Sequence, residues 1–292
     1  MIRNKVDLHL HSTYSDGAET PKEISEIAKT KKLEIISLTD HDNIEGSKEI
    51  VKLNDAEISI YSGVELTAKV PKGRMHILGH NIDLNNENIN KKLQEMHEAA
   101  IYNILLYIEI LKKDFDINIP QKEIDILIES KGNIGRPQLA LLLIELGYCT
   151  DVEEAFQKYL IHAYDKVRSV KKGLTKEEAI SLITEAGGIA SLAHPGSLKM
   201  EYEELKKEIA YLKSIGLQGI EVIHSNNSIE ERILFQKLAE NYDLLITGGT
   251  DYHGIKVKPD IEIGSGRNNN VVIDTHTLTL TRNIPNRYKK TN

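Results

Sequence analysis

The chain has 292 residues, of which 40% are hydrophobic and 28% are charged, and its formal net charge is −7. This balance is typical of a globular protein with one large α/β domain, or one domain with an insertion, and it argues against a basic protein that coats nucleic acid. A single cysteine excludes an intramolecular disulfide, and the lack of a signal-like segment or of an apolar run of about 18 residues predicts a cytoplasmic protein without membrane contact.

The first part of the chain alternates between predicted strands and helices. A helix over 21–33 is expected to begin after Thr20 as N-cap, with Pro21 in the first helical position. A second helix is predicted over 44–54. Short β-rich runs predict strands over 6–11, 34–42, 58–66 and 75–82.

The middle of the chain, 86–165, has helical periodicity and almost no strand signal. This segment is therefore predicted to be a helical insertion, or cap domain. It interrupts one discontinuous α/β domain made of residues 1–85 and 166–292.

The alternation of strands and helices resumes after the insertion. Helices are predicted over 176–187, 201–215 and 228–242, and strands over 187–196, 216–225 and 243–254. Strands that alternate with helices indicate a mainly parallel sheet, either open or closed into a barrel.

Polar side chains collect where the predicted strands end. His9 and His11 are two apart on the first strand, so they point to the same face, and Asp16 lies in the loop that follows. Ligand sites in parallel α/β folds form at the carboxyl ends of the strands. The five other strands that we expect to contribute supply His41, Glu65, His76, His194, and the pair Asp251 and His253.

One histidine at a strand end is usually an ordinary surface or core residue, but six strands that all supply His, Asp or Glu predict a metal site. Burying so many polar groups without partners would cost several kcal/mol. Imidazoles and carboxylates without a thiolate suit Zn, Mn or Fe. Nine donors exceed the needs of one ion, so we expect two to three divalent metal ions with Glu65 as a bridging ligand.

The same motifs, DLHLHSTYSDG, TDHD, GVE, HILG, AHPG and GTDYHG, resemble in type and order those of the polymerase and histidinol phosphatase (PHP) family. The resemblance implies a distorted (β/α)7 TIM-like barrel with a trinuclear metal site on which all nine donors fall. The stand-alone phosphoesterase branch, which includes nucleoside 3′,5′-bisphosphate phosphatases and 5′→3′ exonucleases, is the most similar. Two departures are Thr250, where Ser is usual, and His80, where Tyr is common.

The predicted activity is hydrolysis of phosphate esters in small nucleotides or short 5′-phosphorylated oligonucleotides. A hydroxide that bridges two ions would attack phosphorus in line, because bound metals lower the pKa of water towards about 7. His194 and His253 could protonate the leaving group, although both are predicted as ligands. Arg136, placed before a helix expected to begin at Pro137, is the first candidate for catalytic phosphate binding.

His224 and Arg267 are further candidates for substrate binding, with a solvent-facing or supporting role as the alternative for His224. Asp40 and Asp42 are expected to orient ligand imidazoles. Two other functions remain open: a histidinol-phosphate phosphatase, and a non-catalytic metal-binding scaffold. The expected partner is a small phosphorylated substrate, with neither membrane nor stable duplex nucleic acid, and the sequence leaves the oligomeric state open.

Overall fold

The structure is a computed structural model that describes residues 6–53, 57–130, 132, 134–168, 173–273 and 287–288. Backbone contacts divide the chain into two compact units. The barrel unit lies before Lys91 and after Gly173, and the insertion unit is Lys91–Gly173. Both boundaries fall a few residues later than 85 and 165, and the role of the insertion as a cap stays a prediction.

A seven-stranded sheet forms the barrel unit, and its strands follow one another in chain order. They are β1 (Val6–Leu10), β2 (Ile35–Leu38), β3 (Ser59–Ala68), β4 (Met75–His80), β5 (Ile189–Leu192), β6 (Gly219–His224) and β7 (Leu245–Gly249). The sheet curls so that Leu10 bridges Tyr252, and the Asp251 N–H donates to the His9 carbonyl at 2.9 Å. The sheet is thus a nearly closed barrel, which confirms the predicted fold class.

The helices agree in type and order with the predicted pattern. They are α1 (Pro21–Thr30), α2 (Glu45–Lys52), α3 (Glu87–Phe115), α4 (Gln121–Ile128), α5 (Arg136–Glu145), α6 (Val152–Ala155), α7 (Ile161–Arg168), α8 (Lys176–Glu185), α9 (Tyr202–Ser214) and α10 (Ile229–Asn241). Thr20 caps α1 in a capping box with Glu23, and Pro21 takes the first helical position as predicted. α5 begins at Arg136 rather than at Pro137, because the extended Gly135 is its N-cap.

The third and fourth strands differ from the prediction and form an antiparallel pair. β4 is antiparallel to both β3 and β5, whereas all other neighbouring strands are parallel. Glu65 therefore lies inside β3 rather than at its end, and His76 is the second residue of β4. Because β4 runs backwards, its amino end lies at the rim where the parallel strands have their carboxyl ends.

Each unit has its own apolar core. In the barrel unit, buried side chains of β1, β2 and β3 pack against those of α1 and α2, among them Leu10, Ile24, Ile36 and Ile50. Every residue of β1 is buried, as expected of a strand covered on both faces. In the insertion unit the core includes Leu111, Leu139, Leu143 and Leu160. Among the described residues, no helix combines the length and apolar character needed to cross a bilayer.

Candidate metal centre

The carboxylate of Glu65 is the middle of the candidate site. It is fully buried, and each of its oxygens faces imidazole nitrogens from other strands. Oε2 lies 3.1 Å from His9 Nε2, from His11 Nε2 and from His41 Nδ1. Oε1 lies 2.8 Å from His76 Nδ1 and 2.9 Å from His194 Nε2. One side chain on β3 thus contacts five of the six histidines predicted as ligands.

Two further carboxylates extend the cluster to the sixth histidine. Asp251 Oδ1 lies 3.2 Å from His11 Nε2 and 3.5 Å from His253 Nδ1. Asp16 Oδ1 lies 3.3 Å from His253 Nε2, and Asp16 Oδ2 lies 3.9 Å from His41 Nε2. The structure therefore brings all nine predicted donors together at one end of the barrel. Their role as ligands stays a prediction.

Two glycines allow the backbone to approach the site closely. A Cβ at Gly249 would lie 2.4 Å from the Cβ of His9, so only glycine lets the end of β7 pack against β1. A Cβ at Gly17 would lie 2.3 Å from the carbonyl oxygen of His11, where the loop that carries Asp16 folds back. Both positions therefore require glycine because the backbone is crowded at this rim, and not only because a turn occurs there.

Two of the nine donors have left-handed backbone conformations. His194 has a φ of 25°, and Asp251 has a φ of 56°. Such conformations cost about 1–3 kcal/mol for residues other than glycine and persist where the surroundings hold them. The strain falls on residues whose side chains must reach the cluster, which is consistent with a functional constraint.

The donor set suits divalent cations. Three groups that consist only of predicted donors have donor atoms within 4.8 Å of one another: His9, His11, Glu65 and Asp251; His41, Glu65 and His76; and His11, Asp16, His41 and His253. His11 Nε2, His41 Nδ1 and Asp16 Oδ1 are buried and have no hydrogen-bond partner among the described residues. These atoms face other donors of the cluster without hydrogen-bond geometry, as expected if their lone pairs bind ions.

The carboxylates divide the imidazoles into charged and neutral members. Burial lowers the pKa of His11, but Asp251 and Glu65 outweigh burial and raise it to about 9. Burial opposes protonation of His9 too, yet Glu221 and Glu65 raise its pKa well above the ordinary value. For His41 burial dominates and lowers the pKa to about 3. Positive charge is therefore concentrated on His9 in β1 and on His11 directly after it.

Glu221 is a site residue that the sequence analysis missed. It is fully buried on β6, its Oε1 lies 2.9 Å from His9 Nδ1, and its Oε2 accepts the His194 N–H at 2.7 Å. Burial raises the pKa of Glu221, but His9 and His224 outweigh that effect and lower it below the ordinary value. The available signal was a glutamate inside the otherwise apolar strand GIEVIH.

Lys258 was also missed, because it lies in an irregular segment without a motif. Its ammonium group donates to Asp251 Oδ2 at 2.7 Å, on the opposite side of that carboxylate from His11. Its side chain is 31% exposed. A cation therefore borders the cluster at its solvent-facing side.

The predicted substrate-binding residues fall in three different environments. His224 is 1% exposed, and its Nε2 lies 3.5 Å from Asp251 Oδ2. Arg267 is on the surface, where Nε forms an ion pair with Asp260 at 2.8 Å. Arg136 belongs to the insertion unit, with its guanidinium 4.5 Å from the Tyr164 ring centroid. His224 thus joins the buried cluster, while the substrate roles of all three stay predictions.

The two aspartates beside His41 accept hydrogen bonds from serine hydroxyls and from the backbone of β3 rather than from imidazole rings. Asp40 accepts hydrogen bonds from the Ser12 hydroxyl at 2.7 Å and from the Ser15 hydroxyl at 2.6 Å. Asp42 accepts the Thr67 N–H at 2.8 Å. Asp40 therefore acts on the site indirectly, through Ser15, whose hydroxyl lies 3.4 Å from His11 Nδ1.

His80, a departure from the family pattern, is fully buried at the end of β4. Neither of its ring nitrogens has a hydrogen-bond partner among the described residues. Burial, reinforced by the charge on His9, lowers its pKa from 6.5 to about 4. The ring is therefore mostly neutral in the folded protein at pH values well above 4.

We expect His80 to make the protein less stable in acid. Below pH 6.5 His80 binds a proton in the unfolded chain but not in the folded protein. The free energy of unfolding therefore decreases as pH falls towards 4. This linkage amounts to about 2 kcal/mol between pH 7.5 and 5. Chemical unfolding at both pH values should show a smaller loss for His80→Leu and His80→Gln, since neither titrates. A loss as large as that of the unmodified protein in both variants would refute the assignment.

The barrel and its cluster of imidazoles and carboxylates define the class of protein. The PHP domain matches residues 7–248, and the chain belongs to the PHP domain family. It is 30% identical over 263 residues to the 5′-3′ exoribonuclease Rnm of Escherichia coli, covering 88% of this chain and 87% of that one. It is 28% identical over 254 residues to the 3′,5′-nucleoside bisphosphate phosphatase of Chromobacterium violaceum, covering 85% and 87%.

A solved structure supports the same classification. A Bifidobacterium adolescentis protein, described as a candidate metal-dependent phosphoesterase, superimposes with a TM-score of 0.71 at 27% identity. The match covers 94% of this chain and 93% of that one. The similarity therefore includes the insertion as well as the barrel.

Proposed function

We propose that the protein is a metal-dependent phosphoesterase that hydrolyses small nucleotides or short 5′-phosphorylated oligonucleotides. The observation that carries the proposal is the contact of Glu65 with imidazoles from four other strands or their loops. The two curated relatives supply the substrate class, since one is an exoribonuclease and the other a nucleoside bisphosphate phosphatase.

Three overlapping donor groups would hold two or three divalent ions. Glu65 belongs to two of the groups, and His11 and His41 each belong to two, which is the pattern expected of adjacent sites. His194 joins them through its contact with Glu65 Oε1. Bound ions of this kind supply an activated water and neutralise charge on phosphoryl oxygens. Mn, Fe and Zn all suit this ligand set.

The contacts of His194 and His253 favour ligand roles over acid catalysis. His194 uses Nδ1 for the Ser197 hydroxyl at 2.9 Å and Nε2 for Glu65. His253 uses Nδ1 for the Asp251 carbonyl at 2.9 Å and faces Asp16 with Nε2. Because both nitrogens of each ring are engaged within the cluster, neither ring is positioned to move a proton to a leaving group.

Arg136 is our candidate for binding a substrate phosphate. Its guanidinium lies over the Tyr164 ring at 4.5 Å and over the Phe156 ring at 5.6 Å from the centroids. Stacking of this kind uses the face of the guanidinium and leaves the N–H groups at its edge for bidentate phosphate binding. In the barrel unit, Lys258 beside Asp251 is a separate candidate cation at the edge of the cluster.

A competitive substrate assay tests the proposal. Protein loaded with Mn²⁺ would be given 3′-phosphoadenosine 5′-phosphate, a 5′-phosphorylated trinucleotide, its 5′-hydroxyl counterpart and histidinol phosphate. We expect release of phosphate or of a mononucleotide from one of the first two, and little reaction with the last two. Faster turnover of histidinol phosphate would support the alternative phosphatase. Bound metal without any turnover would support the scaffold.

A further inference from the structure

The geometry points to Glu221 as a positioning residue that holds the His9 ring and the His194 backbone in the orientation needed to bind divalent ions. Neither the motifs nor the nine predicted donors include it. The inference rests on the proposed metal-dependent function, because it concerns how well the ions are bound.

Glu221 uses both of its oxygens on different candidate ligands. Oε1 lies 2.9 Å from His9 Nδ1, and Oε2 lies 2.7 Å from the His194 N–H. His9 and Glu221 are fully buried, so water does not compete for these contacts. One carboxylate on β6 therefore ties the side chain from β1 to the backbone that leaves β5.

The contact with His9 determines which ring nitrogen can bind an ion. A carboxylate at Nδ1 favours a proton on that nitrogen, which leaves the Nε2 lone pair for a metal. His9 Nε2 faces the centre, 3.1 Å from Glu65 Oε2. Glu221 thus selects the productive tautomer and fixes the plane of the ring.

The contact with His194 holds a strained turn. His194 has a φ of 25° and a ψ of 68°, and Pro195 follows it directly. Its N–H is the group that donates to Glu221, while its Nε2 reaches Glu65 Oε1 at 2.9 Å. A charge-assisted hydrogen bond at this N–H offsets part of the backbone strain and keeps the ring pointed at the centre.

A direct ligand role for Glu221 is the competing interpretation. Donor atoms of His9, Glu221 and His224 lie within 4.8 Å of one another. However, both carboxylate oxygens of Glu221 already lie within hydrogen-bond distance of nitrogens on His9 and His194. An ion at this position would have to displace one of those two contacts, so the positioning role fits the structure better.

Glu221→Gln is the decisive variant, because a glutamine has one acceptor oxygen for two N–H groups and presents its own N–H₂ to the other. We expect Mn²⁺ to bind about 10–100-fold more weakly by isothermal titration, with the same number of ions. In the zinc-loaded wild type, long-range ¹⁵N NMR should show the His9 proton on Nδ1.

Thr247→Val is the matched control. Thr247 pairs with Glu221 across β6 and β7, is fully buried, and has its hydroxyl 2.8 Å from that of Ser191. The variant removes a buried hydrogen bond from the same layer without touching a candidate ligand. Its Mn²⁺ affinity should equal that of the wild type.

Three results would overturn the inference about Glu221. Unchanged Mn²⁺ affinity in Glu221→Gln, or an equal loss in Thr247→Val, would remove the specific role. Loss of one ion with normal binding of the rest would make Glu221 a ligand. If Glu221→Gln does not fold, a His9 proton on Nε2 in the zinc-loaded wild type would still refute it. Wild-type protein that binds no divalent ion would instead refute the proposed function.

Discussion

Replacing Glu65 by glutamine is expected to lower kcat/KM on the order of 1,000-fold, equal to about 4 kcal/mol of transition-state stabilisation. Burial raises the pKa of Glu65, but the imidazoles of His41, His9 and His76 outweigh burial and lower it far below the usual range. The side chain is therefore a full negative charge shared by several histidines. Glutamine keeps the shape but removes the charge and presents N–H₂ to nitrogens that expect an acceptor.

The loss should be accompanied by reduced metal content, since Glu65 belongs to two of the donor groups. Elemental analysis of the purified variant, alongside steady-state kinetics, measures both effects. Glu262→Gln is the control, because Glu262 is 62% exposed and pairs with Lys31 on the surface. That variant should retain wild-type kinetics. Wild-type activity in Glu65→Gln would show that Glu65 is not part of the catalytic centre.

The site was predicted from the positions of His, Asp and Glu residues at the ends of predicted strands. Side chains at the carboxyl ends of parallel strands meet at one rim, so the donors could be grouped without any knowledge of tertiary contacts. The direction of β4 was not available from this reasoning. The HILG motif does not indicate whether its strand is parallel or antiparallel to its neighbours. The short turn before it, where Gly73 has a φ of 71°, does indicate a hairpin.

Residues that support the cluster were harder to predict than its members. Glu221 lies in the predicted strand GIEVIH, and a single acidic residue in such a strand is normally expected to point to solvent. All six residues of β6 are buried, so no polar face of this strand shows on which side Glu221 lies. Lys258 lies seven positions after Asp251 in the chain, in a segment without helix or strand. Such contacts depend on tertiary geometry and therefore remain outside sequence reasoning.

Metal binding at pH 7 is expected to release about two protons and to strengthen steeply with rising pH. The pKa of His11 is about 9, and that of His9 is raised well above its ordinary value, so both rings carry protons at pH 7 when ions have been removed by a chelator. A metal requires neutral imidazole and displaces those protons. His41, with a pKa of about 3, has none to release.

The sign of the pH dependence follows from these values. Each displaced proton raises the apparent affinity about tenfold per pH unit below the pKa of the group concerned. For His11 the effect should therefore disappear above pH about 9. The same proton stabilises the folded protein after a chelator has removed the ions, because folded His11 binds it more tightly than the unfolded chain does. This contribution to stability is complete below pH 6.5 and is lost as pH rises through about 9.

Isothermal titration with Mn²⁺ in buffers of different ionisation enthalpy counts the released protons directly. His11→Asn should release about one proton fewer than the wild type, because asparagine carries no titratable proton. His162→Asn is the control, since His162 is an exposed histidine of the insertion unit beside Asp114. No proton release at pH 7 would mean that His9 and His11 are both neutral, and equal release in His11→Asn would mean that His11 is neutral. In that case Glu65 and Asp251 would bind ions without breaking ion pairs to protonated histidines.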